Sequence, residues 1–272
     1  MGDGMIPNIL SIAGSDPSGG AGIQADIKAI SANGGYAMAV ITALTAQNTQ
    51  GVAAVQMIDP GFVVQQIAAL RADIRIDAVK IGMLGTAAMV GAVFAALAGL
   101  DVPVVLDPVM VAKSGDRLLM AEAVAALRAA VPLASVITPN LPEAADLLAQ
   151  PEAVSLEGMA AQAQALLSLG PRAVLLKGGH LPGGECPDLL VTAEATTWLP
   201  GIRHASHKTH GTGCTLSSAL ATQLGLGLSL AEAANEAKAY VARAIAMADA
   251  LTVGHGHGPT HHFHAFFEGH TP

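Results

Sequence analysis

Short runs of consecutive apolar residues alternate along this chain with longer stretches in which apolar residues recur three and four apart. The runs at 9–13, 40–44, 52–58, 78–81, 102–106, 136–137 and 173–176 read as buried strands. Residues 189–192 and 196–199 form a further pair around Ala193-Glu194-Ala195, which reads as a hairpin. Between the runs, Ile23, Ile27 and Ile30 keep helical spacing until Asn33-Gly34-Gly35 stops them. Pro60 opens a helix to about residue 73, and Ser155 is an N-cap for one running to 169. Helices are also expected over 86–97, 122–131, 213–224 and 229–251. Continuously apolar strands alternating with helices predict a mainly parallel sheet covered on both faces, an α/β fold. No Pro/Gly/Ser-rich linker divides residues 1–272, so a single domain is expected, and no solenoid-length repeat is present.

A polar or glycine residue follows strand after strand: Asp16, Gln47, Gly82, Asp107, Asn140 and Lys177. In open parallel sheets the ligand crevice lies at the carboxyl ends of the strands, so these distant residues are expected at one rim. Loops are polar in any case, and the coincidence alone names no chemistry.

Composition narrows the partners. Of 272 residues, 13 are Lys or Arg and 21 Asp or Glu, a formal net charge of −8. There is no basic cluster with interleaved aromatics, which argues against nucleic acid. Mean hydropathy is positive, but much of it is alanine, and the apolar stretches are too short to span a bilayer. No basic-then-apolar leader opens the chain, so a soluble cytoplasmic protein is expected. Cys186 and Cys214 form no CxxC pair, and neither zinc nor a disulfide framework is indicated. An anionic ligand would be held by local lysines and backbone N–H groups.

Such a seat is offered by His210-Gly211-Thr212-Gly213-Cys214-Thr215-Leu216-Ser217. Glycines admit close approach of a ligand to the main chain, and the following helix presents unpaired N–H groups and its positive end. Phosphoryl transfer needs such N–H groups, positive charge, ligands around Mg²⁺ and a group orienting the nucleophile. Gly211, Thr212, Gly213 and Cys214 supply the first, Lys177 the second, and Asn140 with Glu143 an amide and a carboxylate three apart at a helix start. Neither GxxxxGK[ST] nor a GxGxxG after the first strand is present, which disfavours a P-loop enzyme and a dinucleotide oxidoreductase.

The segments 14–26, 41–49, 80–84, 106–110, 113–116, 138–144, 177–180 and 209–214 resemble, in order, those of the hydroxymethylpyrimidine/phosphomethylpyrimidine kinases, from about Ile9 to Phe267. The resemblance implies a ribokinase-like three-layer α/β/α sandwich. It implies phosphorylation of 4-amino-5-hydroxymethyl-2-methylpyrimidine to its monophosphate and then its diphosphate, in thiamine biosynthesis, with ATP and Mg²⁺, and a homodimer. It further implies that Gly14, Asp26, Gln47, Met83 and Val109 line the substrate pocket, with the Gln47 amide on the aminopyrimidine edge. Lys177, Asn140 and Lys238 fall to the nucleotide, Glu143, Asn140 and Asp107 to the metal, and Cys214 with Gly211, Thr212 and Gly213 to catalysis.

Each assignment has a plainer counterpart. Cys214, where many sugar kinases of this fold carry aspartate, is either a base whose thiol pKa the helix N-terminus lowers or a small residue shaping the anion hole. Met83 lines a pocket or fills the core, Lys113 closes as a flap or is solvated, and Lys238 reaches a phosphate or stays on the surface. The histidines 255, 257, 261, 262 and 264 read as structural packing or a substrate edge ahead of a zinc tract, and Cys186 has no assigned role. Pyridoxal kinase is the near alternative activity, and a non-catalytic pyrimidine-binding regulator the distant one.

Overall fold

The computed structural model describes residues 5–111, 115, 118–120, 122–206 and 208–267. Lys113 lies outside the described residues. Strands β1 (Asn8–Ala13), β2 (Tyr36–Ile41), β5 (Ala78–Ile81), β6 (Val104–Leu106), β7 (Val136–Ile137) and β8 (Ala173–Leu176) are parallel neighbours. Antiparallel β9 (Asp188–Thr192) and β10 (Thr196–Leu199) complete an eight-stranded sheet of order β10-β9-β8-β7-β6-β5-β1-β2. The chain steps from β1 outward to β2, then returns to β5 on the other side of β1. That reversal opens the crevice beyond β1 and β5.

Period-two alternation explains the layers. Leu10, Ile12, Val79, Ile81, Leu106 and Ile137 face one core, under α2 (Pro60–Asp73), α3 (Ala87–Leu97), α4 (Ala123–Ala130), α5 (Leu141–Leu148) and α6 (Leu156–Leu167). Ile9, Ala78, Val105, Val136 and Leu175 face the other, under α1 (Gly22–Ala32), α7 (Thr212–Gly225) and α8 (Leu230–Ala246). Both faces are apolar, so the strands read as unbroken runs, as expected.

Two expectations are corrected. The strand expected over 40–44 is divided at Thr42, whose N–H bonds Ala13 and whose hydroxyl donates to the Met83 carbonyl at 2.7 Å. Beyond it, β3 (Ala43–Asn48) and β4 (Gly51–Met57) form a separate antiparallel hairpin. The physical reason is that beyond buried Ala43, β3 alternates exposed with half-buried positions, a half-solvated pattern unsuited to a central strand. Gln47 therefore sits on this hairpin, not at the end of a sheet strand. The last helix ends at Ala246 instead of 251, followed by a 3₁₀ turn over Ala248–Ala250. The carbonyls of Asp249 and Leu251 turn instead to the Lys208 ammonium.

Candidate active site

The turn before α7 is built by two glycine contacts. Gly211 adopts φ 76°, and a side chain there would stand 1.7 Å from the Gly20 carbonyl oxygen. Only glycine fits, and the loop after β1 is thereby locked against the anion-hole turn. No side chain caps α7, so its leading N–H groups and positive end face the crevice. Lys177 Nζ lies 3.1 Å from the position a Cβ on Gly213 would take, and Asp107 Oδ2 3.4 Å from it. Gly213 thus leaves room where a phosphoryl group would meet backbone N–H, lysine and carboxylate together.

Cys214 occupies the first turn of α7, where a thiolate base and a wall of the anion hole were both open. Burial pushes its pKa up to about 11, against the opposing pull of the Lys80 charge and the Gly22 N–H. Burial thus opposes the thiolate that a helix end favours.

Lys177, after β8, joins the acidic groups. Its ammonium is 2.9 Å from Asp107 Oδ1 and 3.9 Å from Glu143 Oε2, and Thr138 Oγ1 donates to Asp107 at 3.0 Å. Asn140 and Glu143 form a capping box on α5: Glu143 N–H donates to Asn140 Oδ1, and Asn140 N–H to Glu143 Oε2, both at 2.8 Å. The spacing read as a metal pair is therefore also a helix cap. Burial raises the Glu143 pKa to about 7, with Lys177 opposing and Asp107 adding to the rise. Among the described residues no group of three or more His, Cys, Asp and Glu side chains is arranged to hold a metal. Two carboxylates do match what Mg²⁺ takes from protein when phosphates and waters complete its shell.

Across the rim, Gln47 meets His210. The hairpin register shifts between Ala46 and Gln47, a bulge of the kind that re-aims a side chain. The Gln47 amide lies 3.4 Å from His210 Nε2, which is itself 2.8 Å from Asp16 Oδ2. Asp16 pays the desolvation of burial, which raises its pKa, yet the His210 and Ser18 bonds bring it below the usual carboxylate range. Gly14 and Met83 adjoin one another, a Cβ on Gly14 standing 3.0 Å from Met83 Sδ, and Val109 is half-buried two residues past Asp107.

Asp26 and Lys238 depart from their expected roles. Asp26 is wholly buried, its oxygens accepting from Ser11 (2.6 Å), Ser218 (2.8 Å) and Lys80 (2.8 Å). It stands beneath the rim and has no free face for substrate. Lys80 is equally buried, and its pKa rises because Asp26 overcomes desolvation. Lys238 Nζ is 2.7 Å from Asp188 Oδ2, and Asp188 Oδ1 accepts from Gly178 N–H. Lys238 thus braces the loop after β8 instead of presenting a free ammonium.

Sequence reasoning gave no role to His210 or Lys80. The signal for Lys80 was legible: a lysine inside the apolar run Ala78-Val79-Lys80-Ile81 requires a buried partner. The tail also proves structural. His262 Nε2 lies 3.0 Å from Thr215 Oγ1, and burial takes its pKa down to about 3. Gly258 accepts from His210 N–H, and His257 N–H bonds Thr49 on the hairpin. The tail straps hairpin, anion-hole turn and α7 together.

Comparison with known proteins agrees with this geometry. The family model described as phosphomethylpyrimidine kinase matches residues 16–261. The hydroxymethylpyrimidine/phosphomethylpyrimidine kinase of Escherichia coli (strain K12) is 52% identical over 262 residues, 96% of this chain and 98% of that protein. A crystal structure of phosphomethylpyrimidine kinase from Clostridium difficile 630 superposes with TM-score 0.78 at 43% identity, over 88% of this chain and 99% of that one. An ADP complex of Bacillus subtilis pyridoxal kinase superposes with TM-score 0.89 at 34% identity, over 96% and 99%. With a family model matched over most of its length and relatives of this identity and coverage, the chain belongs to the phosphomethylpyrimidine kinase family.

Proposed function

We propose that this protein transfers the γ-phosphoryl group of ATP to the hydroxymethyl oxygen of 4-amino-5-hydroxymethyl-2-methylpyrimidine, and then a second phosphoryl group to the monophosphate. The observation that carries the reading is the uncapped α7 N-terminus with Lys177 Nζ beside Gly213, faced across the rim by the Gln47 amide. A largely dissociative transfer asks the protein for position and charge more than for covalent chemistry. The N–H groups of Gly213 and Cys214 would hold the equatorial oxygens, and Lys177 would neutralise developing charge. Asp107 and Glu143 would hold Mg²⁺, directly or through water, and the ion when bound draws charge from the phosphates. Glu143, near pH 7 in its titration, would give up its proton as the cation arrives.

With a neutral thiol, Cys214 serves as a wall of the anion hole. The hydroxymethyl proton then leaves late: the new O–P bond forms as the bond from the γ-phosphorus to the ADP oxygen breaks, the proton passes to an oxygen of the transferred phosphoryl group and on to water, and ADP departs. In the second step the nucleophile is already a phosphate oxygen and requires no base. Both steps then fit one site.

Pyridoxal is the second reading. Staphylococcus aureus pyridoxal kinase, solved with AMP-PCP and pyridoxal, superposes with TM-score 0.86 at 31% identity. Mass spectrometry of products from Mg-ATP and either substrate decides between them. The pyrimidine is expected to gain one and then two phosphoryl groups. Phosphorylated pyridoxal with unmodified pyrimidine would reverse the assignment.

A further inference from the structure

The neighbours of Gln47 determine which way its amide faces. His210 Nε2 is 2.8 Å from Asp16 Oδ2, which also accepts from the Ala21 N–H, while Asp16 Oδ1 accepts from the Ser18 N–H and the Ser18 hydroxyl. A carboxylate with these donors around it only accepts, so His210 Nε2 carries the proton. The hydroxyl of Thr45 has one proton, and it goes to the Ser15 carbonyl at 2.9 Å. Toward Gln47, at 3.3 Å, Thr45 Oγ1 is therefore an acceptor. The two sides make one demand: an amide oxygen toward His210 and an amide nitrogen toward Thr45. Amide oxygen and nitrogen are assigned from such networks, and the orientation with Nε2 toward His210 and Oε1 toward Thr45 sets donor against donor and acceptor against acceptor. A half-turn of the amide removes both clashes: its nitrogen then donates to Thr45 Oγ1, and its oxygen lies beside the positive edge of the His210 N–H, whose proton stays directed at Asp16.

We infer that Asp16, His210 and Thr45 are positioning residues that hold the Gln47 amide oxygen on the anion-hole side of the pocket, and so fix which way round an aminopyrimidine binds. The inference rests on the proposed pyrimidine kinase activity for its consequence. The amide oxygen accepts from the exocyclic amine, and the amide nitrogen donates to the adjacent ring nitrogen. The amine then lies on the side of His210, which is followed directly by Gly211. The hydroxymethyl group is on the ring carbon next to the amine-bearing carbon, on the side away from that ring nitrogen. Holding the amine toward His210 therefore directs the reacting oxygen toward the Gly211–Cys214 turn. The opposite amide orientation would direct it away. His210 is itself clamped, since a Cβ on Gly20 would stand 2.4 Å from its Cδ2 and its N–H bonds the Gly258 carbonyl at 3.0 Å. The bulge at Ala46/Gln47 and the tail thus both serve the orientation of one amide.

The 4-oxo analogue of the pyrimidine exchanges donor and acceptor on this edge, with N–H on the ring and an oxygen outside it, and so asks for the opposite amide. Wild type is expected to favour the 4-amino over the 4-oxo compound strongly in kcat/KM, as sites built around hydrogen bonds do. Thr45→Val removes the acceptor that holds the amide nitrogen and is expected to shrink this preference about tenfold, mainly through KM for the 4-amino compound. An unchanged preference in a folded Thr45→Val protein overturns the inference. Independently, ¹⁵N NMR of the wild-type protein, assigned with His210→Gln, is expected to show the His210 proton on Nε2. A bare Nε2 overturns the relay even if Thr45→Val fails to fold. If wild type phosphorylates neither pyrimidine, the functional reading fails, while the NMR result still decides the relay.

Discussion

Two lysine–carboxylate clusters stand close together here and differ in one respect. Lys80 and Asp26 are both fully buried, and the carboxylate is completed by Ser11 and Ser218. Lys177 borders the crevice, 2.9 Å from Asp107 and 3.9 Å from Glu143, leaving one cation between two carboxylates. The first cluster is closed: every charge has its partners, and it ties β1, β5, α1 and α7 beneath the site. The second has one cation for two carboxylates, and burial, with Asp107 adding to it and Lys177 opposing, raises the Glu143 pKa to about 7. In the proposed reaction, the same residue types serve as framework where they are fully partnered and as charge for the transferring phosphoryl group where they are not.

The sharpest way to break the comparison is to remove each lysine. Lys177→Met is expected to lower kcat about a hundredfold or more, the scale of losing one charge-stabilising group in a preorganised site, and also to lower melting in a still-folded protein, because buried Asp107 and Glu143 lose their cation. Steady-state kinetics beside a thermal melt checks both halves. Lys80→Met strands Asp26 as a buried unpaired charge and is expected to cost about 3–5 kcal/mol in urea unfolding. Lys80→Met with Asp26→Leu should recover most of that, because an apolar pair replaces an ionic one and Ser218 can return its proton to a carbonyl one turn back.

A smaller effect sharpens the comparison through pH. The folded-state pKa of Glu143 is raised from 4.5 to about 7, so the native protein binds more protons than the unfolded chain between those values. Stability contributed by this group is present below about pH 4.5 and lost as pH rises towards 7. Glu143→Gln should flatten that slope in melts between pH 5 and 7, and an unchanged slope would assign it to another group.

The smallest expected effect is at Cys214. A neutral thiol acting as a wall predicts that Cys214→Ser keeps kcat within about tenfold, below the 10²–10⁴ of lost general-base catalysis. A loss of a thousandfold would restore the thiolate base.

These contrasts also show what was legible beforehand. The unbroken apolar runs revealed a parallel sheet, because strands covered on both faces need no polar side. The order of glycine-rich motifs revealed the α7 turn. The hairpin was missed because 40–44 and 52–58 look apolar locally, while their exposure depends on what lies across from them. Asp26 misled because a carboxylate among pocket motifs looks like a ligand group, whereas its partner Lys80 is 54 positions away. For Cys214, helix position can be read from sequence, but the burial opposing a thiolate cannot.

The most direct test of the central contrast is single-turnover phosphoryl transfer to the pyrimidine by two folded variants, Lys177→Met and the Lys80→Met/Asp26→Leu pair. The account predicts almost no product from the first although it is folded, and product formed within about tenfold of wild type for the second. Product from Lys177→Met at the wild-type rate, with none from the folded double variant, would reverse which cluster is frame and which is machinery.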